Sequence, residues 1–361
     1  MNVGDLLIDP ATVWPDMGDR DWPLGFIDLD TWPETTQIGV APFPLIGLGT
    51  SDHPLARRLD AVIEPPFTAE GLIRQVAANP HAAAIAVQLL RDLEGAEVER
   101  ALTLESQAYG MLQGSAEHAA WLEGRTPSPS PSGRVLLSRN DTVLRIVLDR
   151  PWARNAIDRA MRDDLFEAFT VAASDPDIAR VELRSVGPAF CVGGDLAEFG
   201  VTRDPAMAHR IRQLTLPARP LSLRVEILDV HIQGACVGAG LEIAAFAGRV
   251  TASPSAWFQL PELAMGLIPG AGGCVSVARR IGRQRTALLL LSGRRISAAT
   301  ALGWGLIDAI EDHHPSTQAA RTWTSARASR ARAHGRSIRH RSAVAPTATR
   351  RRWSSASGAR R

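Results

Sequence analysis

The chain has 361 residues, room for two domains at about 150 residues each, and its 45% hydrophobic and 22% charged fractions are those of a globular protein. No apolar run approaches the roughly 20 residues of a membrane helix, so no membrane association is expected, and the Met-Asn-Val-Gly-Asp start lacks the pattern of a secretory leader. Three scattered cysteines, Cys191, Cys236 and Cys274, argue against a disulfide framework or a metal cluster, which makes a reducing cytoplasm the expected compartment and metal ligands unexpected. The net charge of +2 conceals a split: residues 312–361 hold 12 arginines and one acid, Asp312, against 28 basic and 37 acidic residues before them.

Along the first 125 residues, apolar runs at 25–30, 37–49 and 59–64, broken by Pro and Gly, predict short strands. Thr68 is placed to cap a helix starting at Ala69, in which Leu72, Ile73, Val76 and Ala77 recur at helical spacing. Further helices are predicted over 81–93, 96–112 and 116–122, and no catalytic constellation is visible among them, so packing or regulation is the expected role. Residues 126–133, Thr-Pro-Ser-Pro-Ser-Pro-Ser-Gly, form a stiff hydrophilic linker with nothing to bury. Beyond it, strands over 135–137, 142–148, 181–185 and 227–232 and a helix over 159–173 alternate with glycine turns, which predicts an α/β layered domain over 134–311. From 312 the Arg/Ser/Ala/Thr monotony offers too little apolar surface to offset chain entropy, so disorder is expected. No nucleic-acid partner is expected either, because no aromatic interleaving accompanies the basic tail.

Four patterns carry the chemistry. They are 148–157 (Leu-Asp-Arg-Pro-Trp-Ala-Arg-Asn-Ala-Ile), 189–196 (Ala-Phe-Cys-Val-Gly-Gly-Asp-Leu), 232–242 (Ile-Gln-Gly-Ala-Cys-Val-Gly-Ala-Gly-Leu-Glu) and 258–262 (Phe-Gln-Leu-Pro-Glu) with the glycine run 266–273. The glycines ask for positive φ or close backbone approach, and those that precede helix starts leave N–H groups able to hold an oxyanion. They make neither a phosphate loop, since no Gly-Lys-Ser/Thr follows, nor a dinucleotide fingerprint. Glu242 and Glu262 sit in apolar runs, where a carboxylate either meets an arginine or keeps a raised pKa for acid–base work.

Taken together and in this order, the patterns resemble the enoyl-CoA hydratase/isomerase (crotonase) superfamily over residues 133–310. The resemblance implies an α/β, crotonase-like spiral of ββα units, here preceded by a mostly helical N-terminal region with a few short strands. It also implies an acyl-CoA substrate, with coenzyme A as part of that substrate and no separate cofactor. Arg154, Ala156, Ala189 and Gly193 match coenzyme A-binding positions, and the N–H groups of Gly194 and Ala239 match the oxyanion hole. Glycine is common in the family at the latter position, so Ala239 departs from the pattern while keeping the donor. Glu242 and Glu262 match the two catalytic glutamates, and the presence of both favours hydration of a 2-enoyl-CoA to a 3-hydroxyacyl-CoA. Asp195 and the cysteines are read as structural.

The same scaffold supports double-bond isomerisation, thioester hydrolysis and cofactor-free arylacetyl-CoA oxygenation, and the helical stretch 104–115 is similar to extensions on such dioxygenases. A defective acyl-CoA-binding protein is a further alternative. A homotrimer or hexamer is implied by the family, but the tail looks unlike the helices that build one; its composition is that of a GC-rich gene read out of frame.

Overall fold

In the leading segment three short strands, β1 (Gly25–Asp28), β2 (Leu45–Leu48) and β3 (Ala61–Val62), pair in parallel in that order. The computed structural model describes residues 1–10, 22–34, 38–126, 128 and 130–312; the tail, with its expected disorder and frame change, and residues 127 and 129 of the linker lie outside them. Four helices follow: α1 (Ala69–Ala78), α2 (Pro80–Asp92), α3 (Val98–Gln113) and α4 (Ala116–Leu122). Each start has a local cause. Thr68 accepts from Gly71 N, Glu97 from Arg100 N and Ser115 from His118 N, which satisfies amides that a helix start leaves unpaired, and Pro80 occupies a first-turn position where its missing N–H costs nothing.

The remaining strands are β4 (Arg134–Asn140), β5 (Val143–Asp149), β6 (Arg180–Ser185), β7 (Leu228–Ile232), β8 (Ala235–Val237), β9 (Arg249–Ala252), β10 (Trp257–Gln259), β11 (Ile296–Ser297) and β12 (Ala309–Ile310). The helices among them are α5 (Arg159–Ser174), α6 (Pro205–Thr215), α7 (Ala218–Leu221), α8 (Ala239–Ala244), α9 (Gly273–Ser292), which breaks at Gly282, and α10 (Ala298–Trp304). A six-stranded sheet runs β12-β9-β7-β6-β5-β4, parallel except for β4 against β5, and a three-stranded sheet runs β11-β10-β8. Successive units β7-β8-α8 and β9-β10-α9 put one strand in each sheet and then a helix, the turn of the crotonase-like spiral. All five residues of the central strand β7 are buried, as expected of a parallel strand covered on both faces.

The N-terminal segment shares its core with the rest. Leu72, Val76, Val87 and Leu90 belong to the same buried cluster as Ile281 and Leu288 of α9, and α1, α2 and α3 all pack on α9. A buried carboxylate, Asp60, fastens the contact by pairing with Arg91 of α2 at 2.5 Å and Arg283 of α9 at 3.5 Å. Residues 1–312 accordingly form one compact unit. No helix among the described residues is long and apolar enough to cross a membrane.

Candidate active site

The loop after Cys191 runs alongside β8: Cys191 N donates to Ala235 O at 3.1 Å and Val237 N to Cys191 O at 2.9 Å. Beyond it, Gly193 adopts φ 96° and brings its backbone against the start of α8, where a Cβ would lie 3.4 Å from Val237 O and 3.9 Å from Ala239 N. Ile157 N donates to Gly193 O and Asp195 N to Ile157 O, which leaves the intervening Gly194 N–H turned away from that bridge. Ala239 opens α8, so its N–H has no intrahelical acceptor. Among the described residues neither amide has a hydrogen-bond acceptor, and both residues are only partly buried. The two sequence-predicted oxyanion donors thus lie on adjoining loops and remain open to a ligand.

Behind them sit the two predicted glutamates, 2% and 6% exposed. Glu242, on α8, accepts with Oε2 from Ala271 N at 2.6 Å and Gly273 N at 2.9 Å. Glu262 opens a 3-10 turn, Glu262–Met265, and its Oε1 would lie 2.6 Å from a Cβ on Gly238, the residue before Ala239. Its Oε2 has no hydrogen-bond partner among the described residues. Burial pushes Glu242 up to about 7 against the pull of its two amides and of Arg212. The same burial, reinforced by repulsion from Glu242, holds Glu262 well above the usual carboxylate range. Among the described residues neither acid pairs with an arginine; Arg212, whose charge reaches Glu242, lies over the Tyr109 ring at 3.6 Å and donates to Gly270 O and Gln113 Oε1.

Of the four predicted coenzyme A positions, Arg154 is exposed with φ 51°, and Gly193 lies in the loop just described. Ala156 and Ala189 are nearly buried, and their carbonyls take internal donors, Arg150 Nη1 in the first case and Asn155 Nδ2 and Ser185 Oγ in the second. Arg150 is buried and pairs with Asp195 at 2.7 Å, in keeping with a structural Asp195. The cysteines are buried, unpaired thiols, with burial pushing Cys191 up to about 12.

The N-terminal segment, for which the sequence suggested packing or regulation, reaches the candidate site. Helix α3 delivers Glu105, 1% exposed, whose two oxygens accept from Gly272 N at 2.7 Å and Cys274 N at 2.8 Å. Tyr109, one turn on, leaves no room for a Cβ at Gly270, and His118 of α4 holds Met265 O at 2.8 Å. The loop that carries Glu262 is therefore gripped at both ends by the leading segment. The signal was present in the sequence: Ala101, Leu102, Ala108, Tyr109 and Leu112 form the buried stripe of α3, and Glu105 interrupts it.

With two open amides beside buried acids on a ββα spiral, the fold and site define an acyl-CoA enzyme scaffold. The profile of the family described as enoyl-CoA hydratase/isomerase matches residues 138–353, and the chain belongs to that family, within the crotonase superfamily. An enoyl-CoA isomerase/hydratase of Mycosarcoma maydis is 36% identical over 179 residues, 46% of this chain and 64% of that protein. A 2,3-dehydroadipyl-CoA hydratase of Escherichia coli is 32% identical over 173 residues, 48% of this chain and 67% of that one. The chain thus spans about two thirds of the length of these curated relatives. Among solved structures, an enoyl-CoA hydratase from Thermoplasma volcanium is 30% identical with a TM-score of 0.44, covering 53% of this chain and 74% of that one.

Proposed function

We propose that the protein adds water across the double bond of a 2-enoyl-CoA thioester to give a 3-hydroxyacyl-CoA, with the coenzyme A of the substrate as the sole cofactor-like group. The observation that carries the reading is the carboxyl of Glu262, buried against Gly238 beside the open Ala239 amide, with one oxygen uncommitted. In the reaction, the thioester oxygen gathers negative charge and is held by the N–H groups of Gly194 and Ala239. The water oxygen bonds to C3, one water proton passes to the glutamate pair, and a proton is delivered to C2. Fixed donors of this kind are worth about 3–4 kcal/mol each in other acyl-transfer sites, and positioned acid–base groups contribute roughly 10²- to 10⁴-fold. A pair of buried acids titrates as a unit, so both glutamates share the proton traffic.

The asymmetry of the pair supports a second reading. Glu242 is tied to two amides while Glu262 has a free oxygen, and one free base suffices to shuttle a proton between C2 and C4, as isomerisation requires. The experiment is turnover of crotonyl-CoA and of a 3-enoyl-CoA, followed by absorbance of the conjugated thioester. Hydration consumes that absorbance and isomerisation of the 3-enoyl substrate creates it. Glu262→Gln is expected to abolish turnover while acyl-CoA binding persists, and unchanged turnover refutes this account.

A further inference from the structure

Helix α9 begins without a cap of its own, because its N-cap residue is Gly272 at φ 104°. Four consecutive amides at that start, 271–274, point into the site and are divided alternately between two carboxylates. Ala271 and Gly273 donate to Glu242, and Gly272 and Cys274 donate to Glu105. We propose that Glu105 of α3 is a positioning residue of the active site: it shares this amide cradle with Glu242, fixes the orientation in which α9 presents its amides to Glu242, and couples its own protonation to that of Glu242. The proposal rests on the reading of Glu242 as a working acid–base group. Glu105 precedes the first residue matched by the family profile, so the leading segment supplies this group.

The geometry makes the sharing consequential. One helix start carries about half a positive charge, too little to balance two anions that are both buried. No second cation compensates among the described residues: the groups facing Glu105 are Glu242 of α8, Glu262 of the 3-10 turn, Cys274 of α9 and Arg212 of α6, the last already spread over the Tyr109 ring. Burial first, and then repulsion from Glu242, hold Glu105 well above the usual carboxylate range. Packing leaves the two acids little freedom to separate. A Cβ at Gly273 would lie 2.5 Å from Glu242 Cγ, and Ser106, next to Glu105, is tied to His209 of α6 at 2.9 Å.

The test uses the full chain with carboxyl-labelled glutamate, titrated by NMR, together with steady-state kinetics on crotonyl-CoA. The Glu105 signal is assigned by its loss in Glu105→Gln or by its contact with the Gly272 and Cys274 amides. In Glu242→Gln, Glu105 is expected to titrate lower by about one pH unit or more, the shift that defines interacting sites. Glu105→Gln turns an amide group towards one of its two N–H donors, so kcat is expected to fall roughly tenfold or more, the effect of one unmet buried donor, while KM for the acyl-CoA stays within about twofold. An unmoved Glu105 titration in Glu242→Gln overturns the proposal, as does a Glu105→Gln enzyme with unchanged kcat. Should Glu105→Gln fail to fold, the Glu242→Gln titration still decides. A wild-type chain with no enoyl-CoA turnover counts against the hydratase reading, and the titration then judges the shared cradle separately.

Discussion

Gly238 shows how one residue type fixes the chemistry of the site. Its φ of 48° and ψ of −126° belong to glycine, and a Cβ would lie 2.6 Å from Glu262 Oε1. Gly238→Ala therefore strains the backbone that presents the Ala239 amide and displaces the free carboxyl. Misplacing a reacting group by about 1 Å costs roughly 10²-fold in rate, so kcat is expected to drop at least that far in a folded protein that still binds acyl-CoA. Gly303→Ala is the control: it lies in helix α10 with nothing within 4 Å of an added Cβ, and it should leave turnover intact while helix propensity raises stability by up to about 1 kcal/mol. Equal activity in the two variants refutes the steric argument. At this scale the sequence was informative where a signal was local. Glu242 and Glu262 stand out as acids inside apolar runs, and the glycine clusters stand out as turns, while the choice of Gly194 and Ala239 as oxyanion donors came from the family resemblance. Glu105 breaks an apolar stripe in the same manner, but its partners lie 167 and 169 residues away, a pairing that no local pattern encodes.

Elements with a period and a cap were legible. Helix α4 spans Ala116–Leu122 and α5 spans Arg159–Ser174, each begun by a capping side chain that can be read directly from the chain. Strands β8, β10 and β11, at two or three residues, are too short to show alternation, and α6 has a single buried residue, Ala208, so its apolar face is faint. The start of α9 was legible only as a glycine run, although it is the element on which two acids converge. Its energetics predict a pH dependence. Burial raises Glu242 from the ordinary 4.5 to about 7 and holds Glu105 and Glu262 well above the usual carboxylate range. The folded chain thus keeps protons on these acids that the unfolded chain releases above 4.5, so their contribution to stability is greatest below that value and is lost as pH rises through about 7. The urea midpoint is expected to decrease between pH 5 and pH 8, and less steeply in Glu262→Gln. A midpoint that is flat over this range means that the buried acids ionise without cost, contrary to their surroundings.

For the whole molecule, the linker composition suggested an N-terminal region set apart from the catalytic one, yet the two share a core. Pro131 O accepts from Arg150 Nε and Trp152 Nε1, and Gly133 N donates to Asp158, so the end of the linker is pinned to the catalytic segment. Helices α1 and α2 bury one face against α9, and the Asp60 carboxylate joins Arg91 to Arg283 across that boundary. A core spanning both segments should unfold in one transition. Leu90 of α2, 2% exposed, sits in that core, and Leu90→Ala is expected to cost about 2–5 kcal/mol through lost burial and the cavity left behind. The decisive measurement compares two probes in urea: acyl-CoA binding, which reports the site, and far-ultraviolet circular dichroism, which reports all helices. Because Glu105 and His118 grip the loop of Glu262 from the leading segment, both probes should move to lower urea together. If the site outlives the loss of the N-terminal helices, the segment is an independent cover and its grip on the loop is dispensable. Coincident transitions mean that the leading segment and the buried glutamates Glu242 and Glu262 stand or fall as one structure.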